Sequence, residues 1–311
     1  MRNTFINCLI ELAEKDERIF LVTADLGFSV VEKYSEKFPD RFLNVGIAEQ
    51  NAAGVSAGLA LSGKIVYYYS IIPFVTMRCF EQVRNDIAYM NVNVRLIGVG
   101  AGYSYGPAGN SHHAMEDIAI MRAIPGMTVC CPGDIYELRE LLIQSVNHNG
   151  PMYIRLGKGG EPQIYDSEVS SVNIGKISIL NDGDNMVLIT ISNMLPVCKK
   201  IIDEYSQVGI KIALISVHTI KPIDLELKNI LKKYKFIFTI EEHNIIGGLG
   251  SAIAEIIAEN FDEHPVVFRR IGIKDFYTHD VGGQEYLRKL AGIDMLSIKS
   301  FINNFIEKSM K

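Results

Sequence analysis

The chain has 311 residues, 48% hydrophobic and 22% charged, enough for about two globular domains with full cores. A formal net charge of −5, with Lys and Arg scattered along the chain, argues against a nucleic-acid-binding surface. The apolar runs fall short of the ~18 residues that a membrane-spanning helix needs. The first twenty residues read as an amphipathic helix bearing acids and show no signal-peptide cleavage region. Five cysteines (Cys8, Cys79, Cys130, Cys131, Cys198) form no CxxC and no metal-like spacing, so they are expected to be reduced, buried thiols of a cytoplasmic protein.

Residues 18–23 (RIFLVT) predict a buried strand running out at Asp25. A helix is expected over 48–61, with Glu49 at its mouth. Its residues Ala52, Ala53, Gly54, Ser56, Ala57, Gly58 and Ala60 have almost no side-chain bulk. Interior glycines cost roughly 1 kcal/mol each relative to alanine, so this helix is expected to lie close against another backbone. An acid at that position is either a dipole-favoured cap or a catalytic group. Residues 64–70 (KIVYYYS) predict the next strand. It is followed by an apolar and aromatic cluster from Tyr67 to Phe74 and on to Met77, which is either core or the wall of a flat-ring pocket.

Further strands are expected at 94–100, 127–131 and 152–156, with helices at 74–90, 116–122 and 135–147. Apolar strands separated by helices indicate a parallel sheet covered on both faces. The loop 100–113 has four glycines and ends in His112 and His113; adjacent histidines project differently, so at most one is expected to face a site. No third ligand is spaced for a metal. Residues 157–175 are rich in Gly, Ser and acids and read as a linker.

The pattern then restarts, with strands at 186–191, 210–217, 236–241 and 266–271 and helices at 193–208, 225–233, 251–261 and 283–291. The predicted fold class is therefore α/β with two doubly wound units, at 1–158 and 180–311, joined by a linker at 159–179. Asp182-Gly183-Asp184 reads as a turn before a strand. Gly247-Gly248-Leu249-Gly250 lacks the third glycine of a dinucleotide loop and reads as a tight strand-to-helix turn. Glu241, Glu242 and His243 read as a polar interface. Ligand chemistry in such sheets lies beyond the carboxyl ends of the strands.

Several segments, taken in order, resemble the transketolase family: GIAEQ at 46–50, PFVTMRCFEQVRND at 73–86, SHHAMEDIAIMRAIPGM at 111–127, PGD at 132–134 and EEHNIIGGLGS at 241–251. The first four are similar to its pyrimidine-binding domain and the last to its C-terminal domain. The resemblance implies thiamine diphosphate as cofactor, with Glu49 as the acid against the aminopyrimidine. Such an acid favours the imino tautomer, whose exocyclic nitrogen takes the proton from the thiazolium carbon. It further implies Phe74 stacked on the pyrimidine, with Ile71 (where the family has a second aromatic) and Met77 beside it. His112, Arg155 and Asp25 are implied on the substrate side, Arg155 for a sugar phosphate.

Two family positions differ: a histidine aligns with Gly100 and a hydroxyl-reading aspartate with Ala108. These changes point to an altered sugar, deoxy or otherwise modified. The family's diphosphate-binding half, which holds Mg2+, has no counterpart in these residues. The expectation is a split enzyme, with this chain as the C-terminal, beta-type subunit and a separate N-terminal subunit supplying the Mg2+-bound diphosphate. Self-association through the family interface would give a two-plus-two assembly. The alternatives are the beta subunit of a 2-oxo acid dehydrogenase, a deoxyxylulose-phosphate-synthase-like enzyme, and a non-catalytic regulatory subunit. The motifs at 74–86 and 111–127 favour transketolase over the first of these, and Glu49 argues against the last.

Overall fold

The computed structural model describes residues 1–165, 172–261 and 265–309, so residues 166–171 of the expected linker lie outside the described residues. Twelve strands are described. The first unit contributes β1 (Ile19–Thr23), β2 (Phe42–Asn44), β3 (Ile65–Ile71), β4 (Val94–Val99), β5 (Thr128–Cys130) and β6 (Met152–Leu156). The second contributes β7 (Ser178–Asn181), β8 (Met186–Thr190), β9 (Ala213–Ser216), β10 (Thr219–Lys221), β11 (Phe236–Asn244) and β12 (Val267–Ile273).

One sheet runs β10-β5-β6-β4-β3-β1-β2 and the other β12-β11-β8-β9-β7. All neighbours are parallel except β10 on β5 and β7 on β9. Two of these strands lie outside the expected division of the chain. Ser178 of β7 falls inside the stretch assigned to the linker, and β10, from the second unit, completes the edge of the first sheet. Short edge strands with mixed burial carry too little apolar pattern to stand out in a sequence.

The first sheet is covered on one face by α1 (Arg2–Ala13) and, further along the chain, by 135–145. Here Phe5 stacks 5.7 Å from Tyr69, and Leu138 and Leu141 close the layer. After α2 (Glu32–Lys37), helix α3 (Glu49–Leu61) takes the opposite face, its Ala52, Ala53 and Ala57 buried with Tyr68 and Val22. Tyr67 and Tyr69 thus face one way and Tyr68 the other, the two-residue period of a strand buried on both sides.

The expected helix at 74–90 is not regular. A widened π turn spans Phe74–Arg78, a short α4 covers Phe80–Gln82, and a second π segment spans Val83–Tyr89. Thr76 and Cys79 donate to the carbonyls of Ile72 and Val75, at 2.6 and 3.1 Å, supporting the widened turn. Such bulges mark functional positions more often than ordinary helix does.

The remaining helices are α5 (Asp117–Ala123), α6 (Ile135–Ser145), α7 (Leu195–Gln207), α8 (Leu227–Leu231), α9 (Leu249–Asn260), α10 (Gln284–Leu290) and α11 (Met295–Ser309). The Asp134 side chain accepts from Tyr136 N at 2.6 Å and caps α6. Gly183 sits in the turn between β7 and β8, where a Cβ would lie 2.1 Å from Ala213 N. Gly247, at φ +77°, turns the chain from β11 into α9. Among the described residues no helix is long and apolar enough to cross a membrane.

Glu241 closes that second turn. It is fully buried, and its carboxylate accepts from the first amides of α9, Leu249 N at 2.7 Å and Gly250 N at 2.8 Å. Burial pushes its pKa up to about 7, against the opposing pull of those two amides. The folded chain therefore holds a proton here that the unfolded chain, with an ordinary glutamate near 4.3, releases earlier. Stability from this group is present at low pH and is lost as pH rises from the unfolded value through about 7. Glu241→Gln should shrink the difference in melting temperature between pH 5 and pH 8; an undiminished difference would show that Glu241 does not titrate in this range.

Candidate active site

The site is built from loops that leave the carboxyl ends of parallel strands: 24–31 after β1, 45–49 after β2, 72–78 after β3, 100–113 after β4 and 157–162 after β6. Glu49 opens α3, where a negative charge is favoured by the helix dipole, yet only 3% of it is exposed. Its Oε1 pairs with Arg78 Nη1 at 2.8 Å, and its backbone carbonyl accepts from the Tyr68 hydroxyl at 3.1 Å. The same Arg78 guanidinium lies 4.1 Å from the centre of the Phe74 ring. Phe74 in turn meets His112 at 5.2 Å, edge to face. The structure thus brings Glu49, Phe74 and His112 into one chain of contacts, with Arg78 linking the acid to the ring. Ile71 and Met77, both half-buried, end β3 and lie within the π turn beside Phe74.

The two histidines separate as their adjacency requires. His112 is half-buried, with Nδ1 3.0 Å from Ser111 Oγ. His113 turns into the interior against Tyr103, and burial lowers its pKa. Gly100, at φ +100°, has a direct packing reason, since a Cβ there would lie 2.2 Å from the Tyr105 ring. Tyr105 therefore fills the room of the side chain that Gly100 lacks. Its ring centre is 6.3 Å from that of His112 and 4.9 Å from the Lys158 ammonium. Asp25 is exposed, in a positive-φ conformation (φ +53°), and its amide donates to Asn44 Oδ1 at 2.9 Å. It is tied to the loop after β2 rather than to the Phe74 cluster.

Arg155 is a correction. It was expected to bind a sugar phosphate, but it is fully buried in β6. Its Nε donates to Asp117 Oδ2 at 2.8 Å, and its Nη2 donates to the carbonyls of Ala114 and Glu242, at 3.0 and 3.1 Å. Tyr153 also donates to Asp117 Oδ2, at 2.7 Å. Arg155 is a buried cross-link between the His112 loop and β11, with no face left for a substrate. The cation at the strand's carboxyl end is instead Lys158, in the Gly-Lys-Gly-Gly turn past β6. A basic residue in a glycine turn just after a strand was the sequence signal for it. Arg78 and Tyr105 had no such signal, because the π turn and the space above Gly100 appear only in the folded chain.

Glu242 ties the His112 loop to the second unit. Its buried carboxylate accepts from Tyr103 N (2.8 Å), Asn193 Nδ2 (2.5 Å), Gln284 Nε2 (3.0 Å) and Arg288 Nη2 (2.6 Å). Glu242 therefore lies at a polar interface between the units. Among the described residues no group of three or more His, Cys, Asp or Glu is placed to hold a metal.

The chain thus joins two mostly parallel-sheet units, with an acid and an aromatic ring brought together at the strand ends of the first. Residues 1–162 match the family model "Transketolase, pyrimidine binding domain" and residues 175–298 match "Transketolase, C-terminal domain". The chain is 38% identical to a 6-deoxy-6-sulfo-D-fructose transketolase subunit of Clostridium sp. (strain MSTE9), covering 94% of this chain and 90% of that one. It is 35% identical to one of the subunits of the apulose-4-phosphate transketolase of Actinobacillus succinogenes, covering 96% of each. It is also similar to the solved structure of a split-gene transketolase, an inactive beta4 tetramer, at 31% identity and TM-score 0.85, covering 97% of this chain and 96% of that one. The chain belongs to the transketolase family.

Removing one partner of a buried ion pair costs about 3–5 kcal/mol. Asp117→Ala should therefore lower the unfolding free energy by about that amount in urea denaturation. A loss below ~1 kcal/mol, the worth of an exposed pair, would return Arg155 to a solvent-facing role.

Proposed function

We propose that this chain is the C-terminal, beta-type subunit of a split thiamine diphosphate-dependent transketolase that transfers a two-carbon ketol unit from a ketose to an aldose. The observation that carries the reading is the slot made by Glu49 and Phe74. Its fit to the aminopyrimidine is supported by Arg78, a planar cation that already lies over Phe74 while pairing with Glu49. When bound, the cofactor supplies the electron sink for breaking the carbon–carbon bond of the donor.

The chain's own residues do the rest. Glu49 Oε1 shares a proton with a ring nitrogen and fixes the tautomer. Phe74 covers one face of the ring and excludes water from it, and Ile71 and Met77 complete the apolar wall. His112 meets a substrate hydroxyl through the ring nitrogen not bonded to Ser111. Asp25 contributes to the substrate side from the loop after β1.

The substrate is a modified ketose with an anionic end. Three features support this. Gly100 and Ala108 replace polar family positions, Tyr105 occupies the space above Gly100, and Lys158 stands over Tyr105 where an anion would be received. The relatives named for sulfofructose and apulose phosphate agree with that class.

The diphosphate and its Mg2+ belong to a partner, an N-terminal transketolase subunit. Self-association is supported by α3, whose buried face is alanine-rich while Gly54 and Gly58 have nothing within 4 Å of where a Cβ would be. Among the described residues no backbone covers those glycines, and Ile47 (79% exposed) and Leu61 (64%), just before and at the end of the same helix, are exposed apolar residues. A second copy of the chain lying there supplies the close neighbour that such a helix predicts. The five buried free thiols fit a cytoplasmic setting.

The lone chain should show no ketol transfer, and adding the N-terminal subunit should restore it. In the reconstituted enzyme Glu49→Gln should lower turnover at least ~100-fold, the usual worth of a positioned proton-transfer group. Full turnover by the lone chain would overturn the split-enzyme reading.

A further inference from the structure

Glu49 presents a carboxylate that is almost entirely removed from water, and the cation that pairs with it comes from this chain. Arg78 reaches it from the end of the π turn, with its own side chain 45% exposed. A guanidinium is flat, delocalised and permanently charged, and its N–H donors lie in its plane. It can therefore stack on an aromatic face and donate to a carboxylate at once. Arg78 lies over the Phe74 ring, 4.1 Å from its centre, and forms an ion pair with Glu49 Oε1 at 2.8 Å. Glu49 and Phe74 are also the residues that the slot offers a planar amino-heterocycle, and a ring that used the same oxygen and the same face would displace the guanidinium.

We propose that Arg78 is a further residue of the cofactor slot, a placeholder that takes the position of the aminopyrimidine and is displaced when the ring enters. The inference rests on the thiamine diphosphate reading above. The placeholder has two consequences. It keeps a buried carboxylate paired while the slot lacks its ring, where an unpaired one would be costly. It also makes ring binding a competition, because the apparent affinity is the intrinsic affinity multiplied by the fraction of chains in which Arg78 has swung out.

The test is calorimetric titration of thiamine diphosphate into the complex of this chain with its diphosphate-binding partner, supplied with Mg2+. A half-exposed ion pair plus one cation–π contact predicts that Arg78→Met binds the cofactor about fivefold more tightly than the unaltered chain. Arg78→Lys keeps the charge but has no plane to stack, so its affinity should fall between the two, and it decides the matter if the methionine variant does not fold. Unchanged or weaker binding in the variant that folds overturns the proposal. Glu49→Gln, titrated alongside, separates the two readings. If Glu49→Gln weakens binding and Arg78→Met does not tighten it, the placeholder fails and the cofactor reading stands. If Glu49→Gln binds like the unaltered chain, the cofactor reading fails first.

Discussion

The two units of this chain are held together by charges that water does not reach. Glu242, on β11 of the second sheet, gathers donors from the His112 loop, from Asn193 and from α10, and Arg155 crosses the other way from β6 to the Glu242 carbonyl. Each of these groups would be costly to bury alone. Together they form a network in which each buried charge has partners, and such a network tolerates little displacement. The loop from Gly100 to His113 is therefore placed by the C-terminal unit as much as by the strand it leaves. That unit contributes none of the residues described in the slot, yet it holds the loop carrying His112 at Ala101 and Tyr103.

The slot itself shows how local irregularity serves a site. A regular helix after β3 would advance its side chains by the usual angle at each residue. The π turn at Phe74–Arg78 puts more residues into one turn and so shortens that angular step, and across it the guanidinium lies over the ring four residues earlier. At Gly100, the missing side chain and the Tyr105 ring are two halves of one packing solution. Both features tune the surroundings of Glu49 and His112 without changing either residue, and both leave a cation, Arg78 or Lys158, resting on an aromatic face.

The central strands and most long helices were legible in the sequence, because strands buried on both faces must be apolar along their whole length and because helices repeat their apolar face every third or fourth residue. The acid at the start of α3, the aromatic after β3 and the histidine after β4 were legible for a related reason, since parallel sheets place the loops at the carboxyl ends of their strands side by side. Arg155 was misplaced because a one-letter pattern does not say whether a cation in a strand points to solvent or to a buried aspartate. The Gly54–Gly58 stripe was expected to meet a backbone, and among the described residues it meets none.

The sequence by itself determined the α/β class, the two-unit order and the family, because these depend on periodicity and on motifs local in the chain. Only the tertiary structure decided which charges are cross-links and which face the site. Burial and pairing arise between residues far apart in sequence: Arg155 with Asp117, Glu242 with Arg288, Glu49 with Arg78. The cost of burying a charge depends on its partner, and the fold chooses the partner.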